Sequence, residues 1–229
     1  MIVDFHAHIL PGMDDGCPTR IIAIRQMLMA QRAGVDVIVA AASFDPEQTM
    51  VEAFLEKRAV CARRLEAILQ PGMPQVVLGA EVRWCPGLER LESLEALCIG
   101  DSGWLLLRLP EGDWDDTLTS SVLELNKRLQ GNVILSCVET YALAQTEALF
   151  ERGVHGQLSF EALEHHKRRE RYLPWITAGY ITALGSNLHG DAHVYHKLHK
   201  IQHKLDGSFE QIMDAAALRL RVAEQPLNV

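Results

Sequence analysis

Short, nearly uniform apolar runs alternate along this chain with longer stretches in which apolar residues return every three or four positions. The short runs predict strands at 2–6 (IVDFH), 35–41 (VDVIVAA), 76–81 (VVLGAE), 104–109 (WLLLRL), 133–137 (VILSC), 156–160 (GQLSF) and 181–186 (ITALGS). The longer ones predict helices. The first spans 19–33, with Thr19 as a capping hydroxyl and Gly34 as the stop. The second, 47–69, gathers Val51, Phe54, Leu55, Leu65, Ile68 and Leu69 on one face. Others follow at about 117–130, 141–152, 161–172, 194–204 and 208–222. Strands in regular alternation with helical sequence are the mark of a parallel sheet. The predicted architecture is α/β: a distorted TIM-like barrel of (β/α)7 type, or a distorted (β/α)8 form, as a single domain over residues 1–229. A doubly wound open sheet is the alternative, since periodicity carries no information about closure.

Composition narrows the function classes. The 22 basic residues are outnumbered by 30 acidic ones, a net charge of −8, so no broad cationic face exists to hold a phosphate backbone, and nucleic acid is not an expected partner. The N-terminus lacks a basic segment followed by an apolar one, and no run of about 18 apolar residues occurs. A cytoplasmic protein with no membrane partner is expected. Cys17, Cys61, Cys85, Cys98 and Cys137 share no C-x-x-C spacing and read as reduced thiols, most of them small core residues.

In a parallel barrel the loops at the carboxyl ends of the strands meet at one mouth, where active sites lie. Strand one delivers His6 and His8, whose i, i+2 spacing puts both on one side of an extended segment; Asp14 and Asp15 follow in the next loop. Strand three ends at Glu81, strand five at Cys137 with Glu139 just beyond, and strand seven at Asn187 with His189. Strand two offers Ser43, strand four Arg108, strand six Gln157 and Ser159. Imidazole nitrogens with carboxylate oxygens form a normal ligand set for Zn, Mn or Fe, so His6, His8 and Glu81 with a further ligand from strand seven would make one adequate site. The plainer readings are a histidine pair satisfied by backbone acceptors, turn chemistry for Asp14 and Asp15, and an ion pair of Glu81 with Arg108 or Arg83. His193, His196, His199 and His203, like the pair His165–His166, fall at spacings that read as solvated helix faces.

The segment "HAHILPGMDDG" resembles the first motif of the PHP (polymerase and histidinol phosphatase) family, in its bacterial capsule-type branch of metal-dependent protein-tyrosine phosphatases. The similarity continues through "AGVDVIVAAAS", "VVLGAEVRW", "WLLLRLP", "VILSCVETY" and "LGSNLHG". It implies a distorted barrel holding up to three metals, which activate a water against the phosphorus of a phosphotyrosine. The first metal would be held by His6, His8, Glu81 and a strand-seven acid that is Asn187 here. The second would share Glu81 and use a carboxylate and a histidine, replaced here by Arg108 and Cys137. The third would use Asp15, a histidine that is now Ser43, and His189. The family's "HPERY" aligns with "CVETY", so Thr140 stands where an arginine is expected, and a later arginine near His193 to His196 is missing.

These replacements point one way. A guanidinium has no lone pair for a metal and is never deprotonated, so Arg108 puts a fixed positive charge in the second ion's place. The expectation is a divergent phosphoesterase with a divalent metal (Mn, Fe or Zn), fewer than three ions, and Arg108, Asp15 and His189 as catalytic groups. Its partner would be a phosphorylated substrate, such as a phosphotyrosine protein, in capsule or exopolysaccharide biosynthesis. The alternative is an inactive pseudo-phosphatase that binds a phosphorylated or acidic ligand or a regulatory partner.

Overall fold

A computed structural model describes residues 1–190 and 193–221. Seven strands are all parallel and follow one another in chain order: β1 Val3–Ala7, β2 Val37–Phe44, β3 Gln75–Arg83, β4 Leu105–Arg108, β5 Val133–Leu135, β6 His155–Ser159 and β7 Ile181–Gly185. Among the described residues eight helices surround them: α1 Arg20–Arg32, α2 Val51–Glu66, α3 Asp116–Arg128, α4 Leu143–Phe150, α5 Phe160–Glu164, α6 His166–Thr177, α7 Leu198–Leu205 and α8 Gly207–Leu220. The sheet curls into a nearly closed α/β barrel of TIM type, as predicted, and the open doubly wound sheet is excluded.

Closure needs a bond between the two edges, and the chain makes it by unusual means. Beyond the end of β7, Asn187 donates its backbone N–H to the His6 carbonyl at 2.8 Å, and His8 donates to Leu188 at 3.1 Å. Deeper in the same seam lies Asp4, a fully buried carboxylate. It accepts from the Ser186 N–H at 2.8 Å, the His6 N–H at 3.2 Å and the Tyr195 hydroxyl at 2.6 Å. Burial pushes its pKa up, and these donors act the other way by stabilising the charge.

Several predicted boundaries shift for identifiable reasons. Strand two runs on through Ser43 to Phe44, whereas strand five stops at Leu135, because Cys137 sits in the left-handed region at φ 47° and opens a 3-10 turn at Val138–Thr140. The helix predicted at 47–69 begins only at Val51, because residues 45–49 are held in a turn by the Asp45 carboxylate, which accepts from the Glu47 N–H at 3.0 Å. The stretch 161–172 divides at the extended residue His165 into α5 and α6. The tract 194–204 begins as a 3-10 turn, His193–Lys197, before α7. No α-helix follows β3. Two 3-10 turns, Leu88–Arg90 and Leu94–Leu97, cross instead, each entered through a left-handed residue, Gly87 and Ser93.

The predicted caps hold: the Thr19 hydroxyl accepts from Ile22 at the start of α1. The core is one continuous cluster between sheet and helices. The five cysteines carry no disulfide, and four of them are buried. Among the described residues no helix is long and apolar enough to cross a membrane.

Removing the Tyr195 hydroxyl (Tyr195→Phe) takes a donor from a buried carboxylate. It is expected to lower stability by about 2 kcal/mol, or roughly 4–8 °C in Tm, measured by thermal unfolding. At the barrel base, His155 lies against Trp104 (5.4 Å between rings), and burial, with the Arg219 charge adding to it, lowers its pKa to about 4. A histidine kept neutral contributes stability that is complete above about pH 6.5 and is lost as pH falls towards about 4. His155→Gln is therefore expected to flatten the pH dependence of urea unfolding in that window. An unchanged slope would refute the assignment.

Candidate metal centre

His6 lies inside β1 and His8 just beyond it, and their side chains do share one side: the two Nε2 atoms are 3.2 Å apart. Glu81, near the end of β3, brings its Oε1 within 3.6 Å of His6 Nε2. These three are all buried, and one ligand atom from each lies within 4.8 Å of the others. They form the one such group of three or more His, Cys, Asp or Glu side chains among the described residues.

Each histidine is oriented by its other nitrogen. His8 Nδ1 donates to Asp14 Oδ2 at 2.8 Å, and His6 Nδ1 faces Gln157 Oε1 at 3.3 Å. The Gln157 amide cannot turn around, since its oxygen also accepts from the Cys137 N–H at 2.9 Å while its nitrogen donates to the Leu158 carbonyl at 2.7 Å. His6 Nδ1 therefore carries a proton, and both imidazoles present Nε2 to the same point. Asp14 is itself pinned by the N–H groups of Gly16 and Ser43, each at 3.2 Å. Glu81 accepts from the Ser136 hydroxyl at 2.6 Å.

The electrostatics favour ligation at His6 and Glu81, whereas at His8 an ion must displace a proton. Burial lowers the His6 pKa to about 4, so it is neutral and able to ligate. Burial also opposes charge on His8, but the Asp14 carboxylate outweighs it and raises the pKa. Burial alone would raise Glu81; the nearby histidines, Ser136 and Arg108 overcome that and hold it ionised. A tetrahedral ion with bonds of about 2.1 Å has ligand–ligand edges of about 3.4 Å. Two of the three edges, 3.2 Å and 3.6 Å, bracket that value and the third lies within 4.8 Å, so the donor set is compatible with a first-row divalent cation.

Glycines make room for this arrangement. A β-carbon added to Gly16 would come within 2.3 Å of His8 Cβ, and one on Gly185 within 2.6 Å of His6 Cβ. The Asp-Gly pair at 15–16 thus owes its glycine to close approach, the left-handed glycine of this loop being Gly12 at φ 82°.

The remaining predicted residues fall around this centre. Arg108 faces the mouth, with Nη1 3.8 Å from Glu81 Oε1 and Nη2 3.5 Å from Glu111. Asn187, at φ 48°, and Arg108 line both of two adjoining lobes of the cavity. Asp15 is 92% exposed in its side chain and lies 3.7 Å from His189 Nδ1, whose ring packs 4.0 Å from that of His8. Neither Asp15 nor His189 joins the buried group of three. Burial drives the Cys137 thiol well above its ordinary pKa, outweighing Arg108, so it behaves as a core thiol against His6 (3.9 Å). His196, His199 and His203 are exposed, as a solvated face requires. Sequence reasoning gave no role to Asp4, Ser136 or Tyr195. It also left Asp14 open between turn chemistry and a role in the site and gave Gln157 no task; a neutral amide and a carboxylate flanking an H-x-H pair were the available signals.

Comparison with known proteins places this geometry. No curated protein matches the chain. Among solved structures, one of the metal-dependent tyrosine phosphatases YwqE from Bacillus subtilis and CpsB from Streptococcus pneumoniae superposes with a TM-score of 0.78 at 20% identity, covering 96% of this chain and 94% of the other. A β-aspartyl dipeptidase from Fervidobacterium islandicum gives 0.56 at 13% identity over 95% and 72%. A TatD-like protein from Archaeoglobus fulgidus gives 0.56 at 15% over 96% and 99%. At such identities these establish the barrel. Residues 2–205, however, match the family model described as capsular polysaccharide synthesis, CpsB/CapC. The chain therefore belongs to the CpsB/CapC family, in keeping with the resemblance of its first motif.

Proposed function

We propose that this chain is a divergent phosphoesterase of its family, hydrolysing a phosphoric monoester of the phosphotyrosine type at a reduced centre that holds one divalent cation. The observation that carries this reading is the buried trio of His6, His8 and Glu81, with edges suited to one ion and nitrogens oriented towards it. Mn, Fe and Zn all accept such a set, with the neutral amide oxygen of Asn187 as a fourth donor. Such an ion, when bound, polarises a phosphoryl oxygen and brings the pKa of a water towards roughly 7.

The chain's own residues supply the rest. Gln157 and Asp14 hold the imidazoles in the required tautomer. Arg108, a permanent cation between the two lobes, offsets phosphate charge where the relatives' pattern implies a second ion. His189, with Asp15 beside it at the rim, relays a proton from solvent water to the leaving oxygen. The setting we assign is cytoplasmic, with a phosphorylated protein as partner, in capsule or exopolysaccharide biosynthesis.

A second reading, an inactive relative that binds a phosphorylated or acidic ligand or a regulatory partner, draws on Ser43, Arg108, Cys137 and Thr140. None of these restores a second group of metal-ligating side chains among the described residues.

Elemental analysis of protein purified without added metal is expected to give about one equivalent per chain. Manganese-loaded protein is expected to turn over p-nitrophenyl phosphate, and His6→Ala to abolish both metal and turnover. Asp14→Asn is expected to weaken metal binding about 10–100-fold, read by calorimetry. Three equivalents per chain would refute the reduced centre. Absence of turnover with manganese, iron or zinc, together with anion binding, would select the second reading.

A further inference from the structure

The two lobes that meet at Arg108 and Asn187 differ in charge. One, of about 980 Å³, contains Glu81 and is rimmed by Asp15, Asp45 and Glu111, with Arg83 paired to Asp45 at 3.2 Å. The other, of about 580 Å³, is lined by Arg108 and by Lys167, Arg168 and Arg171 of α6, against Glu139 and Glu161. Four cations face two acids there, in a chain whose net charge is −8. One of those acids is already engaged: both Glu139 carboxylate oxygens accept from the Ser159 N–H at 3.3 Å, and burial raises its pKa. Lys167, Arg168 and Arg171 are exposed, and none forms an ion pair among the described residues. The nearby Glu170 faces His166 instead, at 3.7 Å.

Like charges gathered without partners repel one another, so a concave surface that keeps them suits an anion. The combined cavity also exceeds what one small phosphate ester fills. A ligand whose phosphate reaches the buried trio has the α6 lobe beside it, across Arg108.

We propose that the α6 lobe is a specificity site that takes a second anionic group, a carboxylate or a phosphate, carried on the same peptide as the phosphate to be cleaved. Arg108 spans both subsites; Lys167, Arg168 and Arg171 read only the second. This rests on the phosphoesterase reading above, and it assigns to that site a preference for phosphotyrosine with an acidic neighbour over an isolated phosphotyrosine.

The test compares phosphotyrosyl peptides that differ only in the flanking residues: alanine, glutamate, phosphoserine or lysine. Manganese-loaded wild-type protein is expected to favour the glutamate or phosphoserine peptide over the alanine one by about tenfold in kcat/KM, mostly through KM and fading with added salt. Which anion gives the larger ratio distinguishes the two sources. In the triple variant Lys167→Ala, Arg168→Ala, Arg171→Ala that ratio is expected to fall to about one. Arg171→Glu is expected to shift preference towards the lysine peptide. Equal kcat/KM for the acidic and alanine peptides in the wild type, or an unaltered ratio in the triple variant, would overturn the proposal. Should no peptide be hydrolysed, the phosphoesterase reading fails, and fluorescence anisotropy of the same labelled peptides decides the lobe by itself. Acid-selective binding lost in the triple variant upholds it, and indifference to flanking charge overturns it.

Discussion

Everything in the mouth of this barrel depends on how its first and last strands are joined. The edge that closes the sheet is the same edge that carries the two histidines, so any slack there would be slack in the centre. A buried carboxylate is a costly way to make such a joint, because taking the charge out of water costs several kcal/mol before any bond is counted. Asp4 offsets that cost with three donors at once, two backbone N–H groups and a phenol. Each donor comes from a different part of the seam: the strand itself, the end of β7 and the turn before α7. What is gained is direction, since the joint holds only if all three segments are correctly placed.

The centre above it follows a similar logic of fixed roles. Two imidazoles and one carboxylate would repel or drift if left to themselves. Here an amide that cannot flip and a carboxylate pinned by two backbone N–H groups decide where each proton sits. The lone pairs converge because their backs are held. Beside them stands Arg108, whose charge does not respond to pH. The resemblance implies a carboxylate of a second metal site at that position; here a constant positive charge stands instead.

Much of this was legible in the sequence, though unevenly. The alternation of apolar runs gave seven strands in the right places, and the i, i+2 histidines with Glu81 at a later strand end gave the trio, because strand periodicity and barrel topology fix where such side chains point. Boundaries that depended on single backbone conformations did not show: a left-handed Cys137 carries no apolar signature, nor does the extended break at His165. Long-range partners were equally hidden. Tyr195 lies in a tract dominated by histidines, and its hydroxyl serves a residue 191 positions away. The expected strand–helix alternation passed over the segment after β3, where Leu88, Leu91, Leu94 and Leu97 recur at a strict step of three, the period of the 3-10 turns that form there.

The guanidinium held against Glu81 has a consequence for the protein when no ion is bound. In a centre built from acids and imidazoles alone, the unfilled state leaves negative charge crowded under low dielectric, and the fold then leans on its metal. With a countercharge supplied by the chain itself, vacancy is tolerable. An ion held in this pocket would then be a tenant of the fold and not one of its supports.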